Sequence, residues 1–146
     1  GGARSRQGAT RRSHLRSMHS LEEVGAMVSS GATAEAVWPT VRDGLVSLLG
    51  LASARFEAGA PTLDLPLVER DGRVDVADKR YIGDGFALPA LGVTVNVEAD
   101  GLHLGQIVLE PNPGVGVTRE QRRTSVAIAD QFAIAVARTP QVRSLV

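Results

Sequence analysis

The sequence predicts an α+β domain in which an antiparallel sheet of five or six strands carries the N-terminal and C-terminal helices on one face. Apolar residues recur every three or four positions before Gly50, as in amphipathic helices, and at alternate positions after it, as in strands. Asp100-Gly101 separates two alternating runs, which is typical of a two-residue hairpin turn. A further helical pattern follows Thr118. Strands joined by hairpins are antiparallel, and helices cover the apolar face of such a sheet.

Two helices are predicted in the N-terminal third of the chain. The first spans about 13–30, and the second spans Ala34–Leu49, with Thr33 as its N-cap and Gly50 as its end. Spacings of three and four residues place the main side chains of the first helix on one stripe, which consists of His14, Met18, Leu21, Gly25 and Val28.

Short strands and one long loop are predicted between the second helix and the hairpin. Pro66 lies in one of these strands and places it at a sheet edge, because proline cannot donate to a strand ladder. Asp78–Leu91 has no periodicity and predicts a loop of a length that is usually functional. The predicted strands are 52–57, 63–69 and 73–76.

The hairpin at Asp100-Gly101 predicts which side chains share a face. Opposed residues lie on the same face, so the apolar face predicted to contact the helices contains the pairs Ala99–Leu102, Val97–Leu104, Val95–Gln106 and Val93–Val108. The opposite face is half polar, as the floor of a binding pocket would be. It contains the pairs Glu98–His103, Asn96–Gly105 and Thr94–Ile107.

The C-terminal helix is predicted to begin with a capping box formed by Thr118 and Gln121 and to end at Thr139. It is apolar around much of its circumference, whereas a helix needs only one apolar face to cover a sheet. We therefore expect a homodimer that covers the surplus, with an interface that includes Met18, Leu21, Gly25, Val28, Ile128 and Phe132. The alternative is that Trp38 and Leu45 of the second helix cover the surplus within one chain.

Composition excludes several classes of function. The 146 residues include no cysteine, which removes disulfides, thiolate metal sites and cysteine nucleophiles. The formal net charge is zero, and no apolar run is long enough to span a membrane or to form a signal peptide. We expect a cytoplasmic domain without nucleic-acid binding, or the cytoplasmic part of a membrane-anchored protein. Residues 1–12 are predicted to be a disordered basic linker, and 139–146 a C-terminal tail.

No arrangement of residues predicts catalysis or a metal site, so we expect a domain that is not an enzyme. Candidate ligand-binding residues remain open to simpler explanations. His103 is a candidate ligand contact or a cross-strand partner of Glu98, and Arg55 is a candidate anion clamp or an exposed arginine. Tyr81 and Phe86 either cover a pocket or anchor the long loop. The full candidate set is Arg55, Tyr81, Phe86, Thr94, Asn96, His103 and Gly105.

The predicted order of elements resembles that of the GAF domain, a ligand-sensing module of signalling proteins. The local amino-acid sequence is also similar to that of GAF-type modules of actinobacterial sensor proteins. The similarity lies in four stretches within Ser13–Arg138: HSLEEVGAMVSSGATAEAVWPTVRDGLVSLLGL, PLVERDG, LPALGVTVNVEADGLHLGQIVLEP and TREQRRTSVAIADQFAIAVAR. The resemblance implies a ligand between the outer sheet face and the long loop, and a dimer through the first and last helices. The family's cyclic-nucleotide signature is absent, and so are the cysteines of its sulfoxide-reducing and bilin-attaching members.

The resemblance therefore implies a regulatory, ligand-sensing domain of a bacterial signal-transduction protein, such as a two-component system. Its ligand and any cofactor are unknown, and its output domain lies outside this sequence. One alternative is a degenerate GAF domain that binds nothing and serves only to dimerise its parent protein. Another is the effector domain of a transcription regulator.

Overall fold

A computed structural model of the protein describes residues 18–146 and contains three helices and eight strands within them. The first helix, α1, covers 18–29 of the described part. The other elements are α2 (Ala34–Leu49), β1 (Leu51–Ala58), β2 (Val74–Val76), β3 (Lys79–Tyr81), β4 (Phe86–Ala87), β5 (Val93–Ala99), β6 (Leu102–Pro111), β7 (Gly116–Val117), α3 (Arg119–Arg138) and β8 (Ser144–Leu145). The predicted basic linker and the start of the predicted first helix lie outside the described residues.

The main sheet is antiparallel and has four strands in the order β5-β6-β1-β8. The α+β class is therefore confirmed, but the single sheet of five or six strands is not what forms. Strands β2 and β3 form a separate two-stranded ribbon, and β4 pairs with β7. The predicted strand containing Pro66 is reduced to two isolated bridges, Leu67 to Thr94 of β5 and Val68 to Val74 of β2. Single bridges thus connect the edge of the main sheet to the β2–β3 ribbon.

Helices α2 and α3 pack on one face of the main sheet. Phe56 of β1 meets Phe132 of α3 edge to face, with ring centroids 5.2 Å apart. Trp38 of α2 meets the same ring at 5.3 Å. Aromatic pairs at this spacing add to the apolar burial that holds the layers together. The hydrophobic core therefore lies between this sheet face and the two helices.

The ends of α2 and α3 are fixed by local hydrogen bonds, as predicted. The Thr33 hydroxyl accepts from the Ala36 N–H at the start of α2, and Gly50 ends that helix in the left-handed conformation with φ of 61°. At the start of α3, Thr118 and Gln121 form the reciprocal capping box.

A β-bulge in the hairpin makes the predicted register wrong by one residue over most of its length. Ala99–Leu102 and Glu98–His103 pair as expected, but Val97 then pairs with Gly105, which leaves Leu104 as the extra residue. Beyond the bulge, every residue of β6 lies on the face of the sheet opposite to the predicted one. The helix-facing residues of β6 are therefore Gly105, Ile107 and Leu109, whereas Gln106 and Val108 lie on the outer face.

Helix α1 packs against both other helices. Gly44 of α2 lies against Ser20, and Gly25 lies near Gln131 of α3. At its C-terminal end the Arg138 guanidinium donates to the Val28 carbonyl at 2.7 Å. Because Gly25 is near Gln131 and Val28 is near Arg138, α1 and α3 run parallel.

A second hydrogen bond joins the C-terminal end of α3 to the start of α2. Thr139, which ends α3, accepts from the Ala34 N–H at the start of α2 at 3.0 Å. The ends of all three helices therefore meet at one junction.

Three of the residues predicted for a dimer interface are buried within one chain. Val28, Ile128 and Phe132 are all at most 3% exposed and belong to the core, so a dimer of this fold cannot use them. The reason is that α2 covers the apolar surface of α3, as in the alternative that named Trp38 and Leu45, and α1 also packs against α3. Met18 is 43% exposed, and Leu21 and Gly25 are partly buried.

The predicted C-terminal tail joins the sheet, since Ser144–Leu145 pairs with β1 as strand β8. Within residues 18–146, none of the helices has the length and apolar character that crossing a membrane requires.

Candidate functional site

The outer face of the main sheet carries a mixture of polar and apolar side chains. Thr94 and Asn96 of β5 lie there opposite Val108 and Gln106 of β6. Segment 59–66 crosses this face from the end of β1 to the edge of β5. The Thr62 hydroxyl in the middle of the segment donates to the Glu57 carboxylate at 3.3 Å. The carbonyl of Pro66, the last residue of the segment, accepts from the Thr94 N–H. The cover over this face is therefore segment 59–66.

Arg55 lies on the outer face but is already engaged by two carboxylates. Its Nε donates to Glu57 at 3.0 Å, and its Nη1 donates to Glu110 at 3.2 Å. The hydrogen bond from Arg55 holds the pKa of the Glu57 carboxyl below its usual value. An anion that bound Arg55 would have to displace one of these partners.

Gln106 is a buried polar residue on the outer face. It is 1% exposed, and its amide makes no well-formed hydrogen bond among the described residues, although it lies close enough to Glu57 to help lower the pKa of that carboxyl. Sequence analysis assigned it to the helix face, because the bulge at Leu104 has no clear signature in the local alternation. A buried amide without a partner costs stability unless something else supplies its hydrogen bonds.

Tyr81 and Phe86 stack on each other at the start of α3. Their ring centroids are 4.7 Å apart, and the guanidinium of Arg122 lies 4.4 Å from the centroid of Phe86. Phe86 also pairs with Val117, immediately before α3. Both rings thus anchor the long loop to the beginning of α3, apart from segment 59–66 and the outer face it covers.

Arg122 is a buried charged residue that sequence analysis did not identify. It is fully buried, and it donates to three backbone carbonyls, those of Gly72 at 2.6 Å, Gly83 at 2.6 Å and Val117 at 3.1 Å. Burial lowers the pKa of this guanidinium. Its four-residue spacing from Val126 on the buried stripe of α3 was the signal available in the sequence. All three acceptors are main-chain groups of this domain, so Arg122 holds loops in place.

His103 and Gly105 occupy separate positions on either side of the bulge. His103 lies 3.9 Å from the Glu98 carboxylate and 3.2 Å from the Gly59 carbonyl, so it pairs across the strand as the simpler explanation held. Gly105 lies on the helix face, where a Cβ atom would collide with the Glu57 carbonyl of β1. Glycine is needed there for close strand packing, and the structure does not bring it together with Thr94 and Asn96.

A cavity opens where segment 67–70 leaves the edge of β5. It has a volume of about 220 Å³ and lies between this segment, the second half of β5 and α3. Arg70 spans it with a bidentate bridge to Asp130 of α3, with bonds of 2.8 and 3.1 Å. The lining residues are Leu67, Val68, Glu69, Arg70, Val95, Asn96, Glu98, Val126 and Asp130. We call this space the edge cavity.

A second, more open cavity lies on the other side of the Arg70–Asp130 bridge. It has a volume of about 310 Å³ and separates Leu21 of α1 from Thr124 and Ala127 of α3. Arg70, Val126 and Asp130 line both cavities. The bridge therefore stands between the sheet edge and the groove beneath α1.

Asn96 presents unpaired backbone groups at the edge cavity. Thr94 donates to the Pro66 carbonyl and accepts from Val68 N–H, so its backbone groups point away from β6. Backbone direction in an antiparallel strand repeats every second residue, and therefore the N–H and C=O of Asn96 point to the same edge. Segment 67–70 makes no hydrogen bond to Asn96, and no other residue within 18–146 bonds to these two groups.

The described part of the chain contains no group of three or more histidine, aspartate or glutamate side chains that could hold a metal ion. Comparisons with protein-family models, with curated proteins and with solved structures give no match for this chain.

Proposed function

We propose that this protein is a GAF-like regulatory domain that binds a small molecule in the edge cavity. The observation that carries the proposal is the backbone of Asn96, whose N–H and C=O face a cavity and have no hydrogen-bond partner among residues 18–146. Ligand sites typically combine an apolar wall with a few placed polar groups. Here Val68 and Val126 contribute to the wall, and Asn96 supplies the polar edge. Of the residues predicted from the sequence, Asn96 is the one that lines this cavity.

The position of the edge cavity also supports a regulatory role. Val126 and Asp130 belong to α3, so a bound molecule would touch the helix that packs against α1. A ligand shifts the arrangement of the helices only if it binds one arrangement more tightly than the other. Asp130 offers such a difference, because its bridge to Arg70 crosses the cavity and would have to adjust to a ligand.

The rest of the proposal concerns the parent protein. We place the domain in a bacterial signal-transduction protein in the cytoplasm, with an output domain outside this chain. A homodimer would join copies through the exposed sides of α1 and α3, which include Met18 and Ile134, each 43% exposed. No reaction is assigned to the domain.

Replacing Val126 with Phe tests the site directly. Val126 lines both cavities, and a larger ring would fill the space that a ligand needs. Ile134→Phe is the matched control, because it enlarges an exposed side chain of the same helix. Fragment binding is followed by protein-observed NMR, and circular dichroism verifies that both variants are folded.

We expect fragments that bind the wild type and Ile134→Phe but not Val126→Phe. Fragment binding that survives in Val126→Phe would place the site elsewhere. A wild type that binds no fragment, and that carries no co-purifying molecule in native mass spectrometry, would overturn the ligand-binding role. It would instead favour the degenerate, ligand-free domain.

A further inference from the structure

We infer that the edge cavity takes a small aliphatic α-amino acid, bound as a zwitterion along the exposed backbone of Asn96. The inference rests on the proposed function, since it requires the edge cavity to be a ligand site. It identifies the chemical class of the ligand from the groups that the cavity presents.

Both backbone groups that face this edge are already bonded at Thr94, two residues before Asn96. At Thr94, one acceptor and one donor from segment 66–68 satisfy the N–H and C=O of a single residue, each at 2.9 Å. Asn96 presents the same donor and acceptor at the same edge. An α-amino acid carries a carboxylate acceptor and an ammonium donor on one carbon atom. It can therefore accept from the Asn96 N–H and donate to the Asn96 C=O.

Charged side chains of both signs line the cavity and can interact with the two charged groups of this ligand. The Asn96 C=O points to the cavity on the side of Glu98, whose carboxylate also lines the cavity and would receive the ammonium group. Arg70 is the only cation that lines the edge cavity among the described residues, and it lies close enough to Glu98 for the two charges to interact. Its guanidinium is bound by Asp130, so the ligand carboxylate would have to share it with Asp130 or displace that partner. Charge-assisted hydrogen bonds of this kind are stronger than neutral ones.

Size and wall chemistry restrict the side chain of the ligand. A volume of about 220 Å³ lies below the range of roughly 300–1,000 Å³ that drug-sized ligands occupy. A nucleotide or a tetrapyrrole does not fit in such a space. Leu67, Val68 and Val126 provide an apolar wall for a branched aliphatic side chain.

Isothermal titration calorimetry with leucine and its blocked derivatives tests the inference. N-acetyl-leucine lacks the ammonium group, leucinamide lacks the carboxylate, and both keep the side chain. We expect leucine or valine to bind, and each blocked derivative to bind at least roughly tenfold more weakly, since each loses a charge-assisted bond.

Two variants of Asn96 separate the backbone from the side chain. Asn96→Pro removes the N–H that faces the cavity, at an edge position where proline is tolerated. Asn96→Ala keeps that N–H and removes only the side chain. We expect Asn96→Pro to lose roughly tenfold or more in affinity for leucine and Asn96→Ala to change it by less than about threefold. If Asn96→Pro does not fold, the blocked derivatives decide alone.

The outcomes distinguish this inference from the proposed function. Equal binding of leucine and its blocked derivatives would overturn the zwitterion inference, and so would equal affinity of the proline and alanine variants. If no amino acid binds while neutral fragments still bind in a Val126-dependent way, the inference fails but the proposed function stands. If nothing binds the wild type, both fail.

Discussion

Arg122 provides the sharpest test of how this fold is held together. Replacing Arg122 with Met keeps a long unbranched side chain in the core but removes the guanidinium. Three carbonyls, those of Gly72, Gly83 and Val117, then lose their donor, and the ring of Phe86 loses its cation. The loops before and after the β2–β3 ribbon would both lose their attachment to α3.

The size of the effect follows from these contacts. Hydrogen bonds to a charged group contribute about 1.5–3 kcal/mol each, so three contribute about 5 kcal/mol at the lower end of that range. The cation–π contact adds about 0.5–1 kcal/mol. Removing the buried charge also removes its desolvation cost, which offsets a few kcal/mol of this loss. We expect Arg122→Met to lower the free energy of unfolding by about 3 kcal/mol, a large share of the roughly 5–15 kcal/mol of a typical domain.

Urea denaturation measures this difference, and Arg123→Met is the matched control. Arg123 is the next residue of α3 and is exposed, so its replacement should change the free energy of unfolding by no more than about 0.5 kcal/mol. Hydrogen exchange adds a local readout, because protection should fall first over residues 72–87. A loss below about 1 kcal/mol for Arg122→Met, or equal losses for both variants, would refute the reasoning.

Three further predictions concern the outer face and the bulge. Gly105→Ala should lower the free energy of unfolding by about 2–3 kcal/mol, since its Cβ would collide with the neighbouring strand; an unchanged thermal midpoint would contradict this. Glu57→Gln should destabilise at neutral pH because the pKa of Glu57 is lowered by Arg55. This difference in stability should shrink as the pH falls below 4.5, the ordinary pKa of a glutamate carboxyl, and vanish once the wild-type carboxyl is protonated in the folded state. Urea denaturation at several pH values measures the difference, and a difference that stays constant would contradict the prediction. Gln106→Met should raise the free energy of unfolding by about 1 kcal/mol in urea denaturation, because it removes a buried amide that makes no well-formed hydrogen bond. A loss would mean that this amide is satisfied, either by Glu57 or by a bound molecule.

Helix boundaries could be predicted because their signals are local. Thr33 and Gly50 define α2, and the Thr118–Gln121 capping box defines the start of α3, through bonds that span only a few residues. Such signals do not depend on how the rest of the chain folds. The predicted bounds of both helices accordingly agree with the structure.

The hairpin register could not be predicted because a distant contact decides it. Asp100-Gly101 correctly indicated the turn, but the bulge places Gly105 where it can approach Glu57 of β1 closely. That approach depends on strand β1, almost 50 residues earlier in the chain. Alternation on β5 has no interruption between Thr94 and Asn96, and both residues lie on the predicted face.

The candidate site was predicted only in part for a similar reason. Asn96 was named from the alternation of β5, but the edge cavity exists because segment 67–70 leaves β5 and forms a bridge to α3. The two partners of that bridge, Arg70 and Asp130, are 60 residues apart and carry no local signal. The apolar surplus on α3 was visible in the sequence, but its cover by α1 and α2 depends on the packing of whole helices.

The junction of the helix ends has a mechanical consequence. Helix α3 is held in place at both ends by hydrogen bonds to other parts of the chain, those of Arg122 at its start and those of Arg138 and Thr139 at its end. Within residues 18–146, α1 receives a charged hydrogen bond from another element only at Val28. The ten residues from Met18 to Val28 span about 15 Å, so a tilt of about 10° about that bond would move Met18 by roughly 2–3 Å. Leu21, which lines the more open cavity beside the Arg70–Asp130 bridge, would move with it.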